Sequence, residues 1–268
     1  PLTVRSARPT PSLSTPLCVA AAQTPSVPGD LQRNLQTHLA CVRAAAHQGV
    51  QLLQFPELSL IGYEPALMAD HVLTADHPVL AALRQAAQSH GMALVVGAPA
   101  APVEAGARPA IGAWLLGPDG SVALYRKRHL HDSEEPFASA GTDDAQVQLV
   151  AGEPTALAVC ADITHPEHAQ AARGAGAALY AAGVLISEKA YAVESALLEG
   201  YARGHDLAVL AANYSGTSGG YVSAGRSAFW APGGRCVVAA PDDAPCIVWA
   251  ARSDSGWAGG VLSLSVPA

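Results

Sequence analysis

Three residues with reactive side chains each stand at the end of an apolar run. Cys160 closes "TALAVC" (155–160), Glu57 follows "LLQFP" (52–56), and Lys127 follows "VALYR" (122–126). A thiol needs a base before it becomes a nucleophile, and a desolvated carboxylate can take that proton and later activate water. An ammonium can stabilise the oxyanion that forms when sulfur adds to a carbonyl. Together the three make a working set for acyl transfer from an amide or a nitrile. Singly, each has a plainer reading: a small buried hydrophobe for Cys160, a cap or salt bridge for Glu57, a solvated basic loop for Lys127.

The cysteine's address carries its own expectation. "TALAVC" reads as a short buried strand, and "THPE" after it fits a capping box in which Thr164 accepts from the Glu167 amide and Glu167 reaches back to Thr164 N–H. Pro166 suits the first turn, and Gly174 and Gly176 suit the end. Cys160 is thus expected at a strand-to-helix turn, near the positive end of a helix dipole. There its pKa should fall from about 8.5 far enough for thiolate to dominate at neutral pH.

The elements that must hold these groups alternate. "LCVAAAQ" (17–23) is a strand, followed by a helix with Leu31, Leu35, Leu39 and Val42 on one face, Asp30 as N-cap and Gly49 as stop. Strands follow at 50–55 and in "MALVVGAP" (92–99), separated by a helix over 78–90 with Gly91 after it. "AIGAWLLGPDGSVALYRK" (110–127) is a hairpin turning at Gly117–Gly120. After Cys160 come the strand "AALYAA", a helix near 191–204, and the strands or hairpins "LAVLAANY", "SAFWAPGGRCVVAA" and "CIVWAA". Early strand–helix alternation with hairpins between predicts mixed sheets with helices outside, in one domain over 17–268. The Pro- and Ser-rich start, 1–16, reads as a flexible tail.

Composition narrows the class. With 268 residues, half of them hydrophobic, the chain can bury a sizeable core. A net charge of −7 and a densest basic spot of only "RKRH" (126–129) argue against nucleic acid or an anionic membrane as partner. Five cysteines without C-x-x-C spacing argue against a disulfide framework and for a reducing, cytoplasmic setting. No apolar run is long enough to span a bilayer.

These segments resemble the nitrilase superfamily of carbon–nitrogen hydrolases over nearly the whole chain after residue 16. "FPELSLIGY", "YRKRHL" and "CADITHPE" resemble the family's base, lysine and nucleophile segments, in the family's order. "VAAAQTPSVPGDLQRNL", "GAALYAAG", "VLAANYSG" and "GRSAFWAPGG" resemble its other strand signatures. The resemblance implies a four-layer α-β-β-α sandwich, commonly a homodimer. It also implies Glu57 as base, Lys127 as oxyanion holder, Cys160 as nucleophile and the Ala161 amide as a second oxyanion donor. No cofactor or metal is implied. An accessory glutamate between the Lys and Cys segments corresponds to Glu134, with Glu135 adjacent as its rival.

The chain also departs from the family. Ala161 stands where an aromatic is common, Thr164-His165 stand where Arg-Phe is common, and "GVLISEK" lacks a usual aromatic. The first departure favours a small amide or carbamoyl substrate over a nitrile. Rival readings are a nitrile hydrolase or an acyltransferase using the same triad, a non-catalytic binding module, and a metal hydrolase built on the pairs His129/His131 and His165/His168.

Overall fold

β1 (Leu17–Gln23) shows in seven residues how the molecule is layered. Leu17, Val19 and Ala21 join one apolar cluster, while Cys18, Ala20 and Ala22 join another. Successive strand side chains point to opposite faces, so a strand covered on both sides reads as one unbroken apolar run. The computed structural model describes residues 16–142 and 146–265. The tail expected over 1–16 therefore lies, but for Pro16, outside the described residues.

In chain order, β1 is followed by α1 (Leu31–Ala46), β2 (Leu52–Gln54), α2 (Pro78–His90), β3 (Ala93–Ala100), β4 (Ala110–Leu116) and β5 (Val122–Arg126). Then come β6 (Val147–Val150), β7 (Glu153–Val159), α3 (Pro166–Gly174), β8 (Leu179–Gly183), α4 (Tyr191–Gly204) and β9 (Ala208–Ala212). A small hairpin of β10 (Thr217–Ser218) and β11 (Tyr221–Val222) precedes β12 (Ala228–Trp230), β13 (Cys236–Ala239), β14 (Cys246–Ser253) and β15 (Gly256–Ser263).

The strands form two large mixed sheets, ordered β15-β14-β1-β2-β3-β4-β5 and β13-β12-β9-β8-β7-β6. Each has a parallel centre, β1-β2-β3 in one and β7-β8-β9 in the other, flanked by antiparallel strands. Val19, Leu52 and Val95 of the first sheet meet Leu157, Leu179 and Leu210 of the second in the inter-sheet core. α1 and α2 cover the other face of the first sheet through Leu35, Val42, Leu80 and Leu83. α3 and α4 cover the second through Ala169, Ala172, Leu198 and Tyr201. Three apolar layers separate four structural ones, which is the expected α-β-β-α sandwich.

Local signals hold at several ends. The Asp30 carboxylate accepts from Arg33 N at 3.0 Å, and Gly91 closes α2 in the left-handed region. β2 is shorter than the expected 50–55. β6, β15 and a 3₁₀ segment at Pro65–His71 were not expected. β15 contains three glycines, so its propensity is poor, yet a Cβ on Gly259 would lie 2.6 Å from the Trp249 carbonyl oxygen. Gly259 is the residue type that this close backbone approach needs.

Candidate active site

The chain leaves β2 and turns sharply through Pro56 and Glu57, with Leu58 at φ +50°. Its backbone lies flat against two glycines of neighbouring strands. A Cβ on Gly97 would come 2.3 Å from Leu58 N, and one on Gly183 would come 2.6 Å from the Phe55 carbonyl oxygen. The turn is pinned on both sides: Gly97 N donates to Ser59 Oγ at 3.2 Å, and the Tyr214 hydroxyl donates to the Glu57 carbonyl at 2.5 Å. His38 Nε2 pairs with Ser59 Oγ at 2.9 Å from behind. A non-glycine residue at positive φ is strained, and here the surroundings over-determine it.

Lys127 extends β5 by one residue, its N–H donating to the Ile111 carbonyl at 2.8 Å. Its ammonium donates to Glu57 Oε1 at 2.6 Å and to Glu134 Oε1 at 2.7 Å, with all three side chains sealed from solvent. Glu134 is held from three directions: by Lys127, by the Tyr63 hydroxyl at 2.7 Å, and by His131 N–H donating to Oε2 at 2.9 Å. Glu135 points to solvent. Of the adjacent pair, Glu134 is the one in the cluster.

Cys160 follows β7 at φ +40° and opens a 3₁₀ turn, Cys160–Thr164. The expected capping box does not form. Thr164 Oγ1 instead donates to the Ala161 carbonyl at 2.8 Å, and α3 begins only at Pro166 after His165, with no side-chain cap. The turn is shaped by Asp162, a residue that the sequence reading passed over. Its Oδ2 accepts from Val159 N at 3.0 Å and from the Tyr125 hydroxyl at 2.7 Å. Its Oδ1 accepts from His129 N at 2.9 Å and meets His129 Nδ1 at 3.0 Å. The Cys160 thiol lies 3.6 Å from the Leu185 carbonyl oxygen.

The electrostatics reverse one expectation. Cys160 is not a low-pKa thiol: burial pushes it well above the ordinary range and the Glu57 carboxylate pushes the same way, against the pull of Lys127. With α3 starting six residues on, no helix dipole offsets the desolvation. Burial likewise lifts Glu57, to about 8, opposed by Lys127 and assisted by Glu134. Burial works against the Lys127 ammonium too, but Glu57, Cys160 and Glu134 more than offset it and hold it charged. Glu57 Oε2, fully buried, has no hydrogen-bond partner among the described residues. A carboxylate with one oxygen held by an ammonium and the other open is arranged to receive a proton.

Above the thiol is a cavity of about 150 Å³ lined by Tyr63, His131, Cys160, Ala161, Glu194 and Tyr221, among others. Glu57 and Lys127 lie beneath this lining rather than in it. Tyr63 and Glu194 were not singled out from sequence. The available signal for Glu194 was a carboxylate three and four residues from Leu197 and Leu198, on the stripe that continues to the buried Tyr201.

The histidines considered as metal ligands separate. His168 is buried between the Tyr125 and Tyr180 hydroxyls, at 2.8 Å from each. His129, His165 and Glu167 do cluster, but the two imidazoles stack 3.8 Å apart and 13° from parallel. In-plane lone pairs on stacked rings run past one another and do not converge on one ion.

The carbon–nitrogen hydrolase family model matches residues 18–256. The fold is also similar to solved structures of an amidase from Nesterenkonia sp. AN1. One, a mutant with the acetamide moiety of fluoroacetamide added covalently at its active-site cysteine, superposes with a TM-score of 0.81 at 28% identity, covering 89% of this chain and 91% of that one. A second mutant, in complex with butyramide, gives 0.79 at 28% identity, with 87% and 89% covered. The same amidase after removal of its tag gives 0.79 at 28% identity, with 93% of each chain covered.

Proposed function

The chain belongs to the carbon–nitrogen hydrolase family, and from that premise we propose that it is an amidase, cleaving a small amide through a thioester on Cys160. The observation that carries this reading is the sealed Glu57–Lys127–Glu134 ion cluster directly beneath the Cys160 cavity. Burying three charges together is costly, and a fold that needed only stability would do as well with apolar side chains there.

In the proposed reaction the Cys160 sulfur attacks the amide carbonyl carbon while its proton passes to the open oxygen of Glu57. Lys127 and the Ala161 N–H stabilise the resulting oxyanion. The tetrahedral adduct collapses as the C–N bond breaks, and the departing nitrogen takes the proton from Glu57, leaving as ammonia or amine. Water then loses a proton to Glu57 as its oxygen attacks the thioester carbonyl. The C–S bond breaks, the proton returns to sulfur, and the carboxylic acid leaves. Glu134 and Tyr63 position Lys127 and take no proton. The raised Glu57 and Cys160 pKa values fit a resting thiol paired with a strong base, not a standing thiolate.

The test is incubation with a panel of short primary amides, followed by intact-mass measurement and an ammonia assay. An acyl adduct at Cys160, trapped by denaturation and absent from Cys160→Ala, is the expected result. Ammonia release undiminished in Cys160→Ala, or release abolished by EDTA, overturns it. Capture of the acyl group by hydroxylamine in preference to water would redirect the reading to an acyltransferase.

A further inference from the structure

The cavity over Cys160 contains a charge that the proposed reaction leaves unused. Glu194, in the first turn of α4, lines the same cavity as Cys160. Among the described residues its carboxylate has no hydrogen bond or ion pair. Nearby Glu188 is already paired with Arg226 at 3.1 Å, and exposed Lys189 makes no ion pair with Glu194. Burial raises the Glu194 pKa, and the one cation that pulls it back is Lys127, itself held between Glu57 and Glu134. A half-buried carboxylate with no protein partner is free to take a donor from a ligand in the cavity.

The same cavity supplies a second kind of attraction. Tyr63 and Tyr221 both line the cavity, their rings edge to face with centroids 5.8 Å apart. An aromatic pair and an unpaired carboxylate lining one small cavity are the combination that holds an organic cation. The volume of about 150 Å³ admits only a small molecule, such as an amide with a short spacer and one further polar group.

We propose that Glu194 is a specificity-determining residue that selects short amides carrying a protonated amine at the end remote from the carbonyl. This rests on the amidase reading above and adds to it the substrate class. The carboxylate and the tyrosine faces grip the ammonium, and the spacer sets the carbonyl over the Cys160 sulfur. An amide ending in a carboxylate meets repulsion at Glu194, and one ending in methyl leaves Glu194 unpaired against an apolar group.

The experiment compares 4-aminobutanamide with pentanamide, which has a methyl in place of the ammonium. The wild-type protein is expected to favour the cation in kcat/KM by about tenfold or more, the scale of one charge-assisted hydrogen bond. Glu194→Gln should bring the ratio towards one, chiefly through a higher KM for 4-aminobutanamide. Glu194→Lys should shift preference to an amide ending in a carboxylate. A wild-type ratio near one, or a ratio that Glu194→Gln leaves in place, overturns the role of Glu194 and leaves the amidase reading standing. If Glu194→Gln does not fold, the wild-type ratio alone decides. Ammonia from no amide of the panel, with no adduct on Cys160, overturns the amidase reading itself.

Discussion

The Tyr63 hydroxyl and the Lys127 ammonium share one acceptor, Glu134 Oε1, each at 2.7 Å. The lysine is therefore held by an oxygen that is itself held, and small changes at Tyr63 should reach it. Tyr63→Phe removes a hydrogen bond to a charged group, worth about 1.5–3 kcal/mol. We expect a fall in kcat of roughly tenfold or more on that scale. Glu134→Gln should cost more, because it strips Lys127 of one of its two carboxylates. Initial rates and thermal melts of both variants check the order; a Tyr63→Phe enzyme less active than Glu134→Gln reverses it.

The raised Glu57 pKa sets a pH dependence. The base must be unprotonated to accept the thiol proton, so activity rises with pH as Glu57 ionises. The acid limb of kcat/KM should fall near pH 8, the pKa to which burial lifts Glu57, and not in the ordinary carboxylate range near 4. A pH–rate profile already flat at pH 6 contradicts this. Alkylation of Cys160 by iodoacetamide should show the same limb and slow in Glu57→Gln, since a resting thiol depends on its base.

Removing Lys127 should damage both stability and rate. Glu57 and Glu134 are fully buried against it, and deleting one partner of a buried ion cluster costs about 3–5 kcal/mol. Loss of an oxyanion donor lowers kcat by about 10²–10³. Lys127→Met is expected to show both effects. A variant as stable as the parent at neutral pH denies the cluster its structural weight.

Two glycine substitutions should diverge. Gly97→Ala would push a methyl to within 2.3 Å of Leu58 N and displace the Glu57 turn. Overpacking of this kind costs about 1–3 kcal/mol, and kcat should fall with it because the base moves. Gly200, exposed in the middle of α4, has open space around it. Gly200→Ala should stabilise by roughly 0.5–1 kcal/mol with unaltered kinetics. Chemical denaturation paired with initial rates separates the two outcomes.

Much of this geometry can be read from the sequence, and for physical reasons. β1, β2, β3, β7, β8 and β9 are covered on both faces, so their positions show as apolar runs; Cys160 stands where β7 stops and Glu57 just beyond β2, while Lys127 follows β5, which is only half-buried. The resemblance favoured Glu134 with Glu135 as its rival, both being acids in one loop, and burial is what tells them apart. The state of the Cys160 thiol was misread because a helix start was inferred from Thr164 and Glu167. Pro166 does open the helix, but a 3₁₀ turn shaped by Asp162 comes between. Asp162 and Tyr63 exert their effects through partners 33 to 71 residues away, and no local pattern announces such bonds. β15 was missed because its glycines lower its propensity, although Gly259 admits the close approach of the Trp249 carbonyl in β14, a requirement that propensity does not register.

Tyr125, Lys127 and His129 alternate along one face, so the segment that presents the ammonium also clasps Asp162 and with it the bend carrying the sulfur. Cys160, the proposed nucleophile, and the Lys127 ammonium are thus tied through Asp162 across the two halves of the sandwich. A graft of residues 153–165 from a divergent homologue would bring its own bend but not the matching clasp. Exchange of 153–165 alone is therefore expected to disturb both, because 125–129 and 159–162 are joined through Asp162.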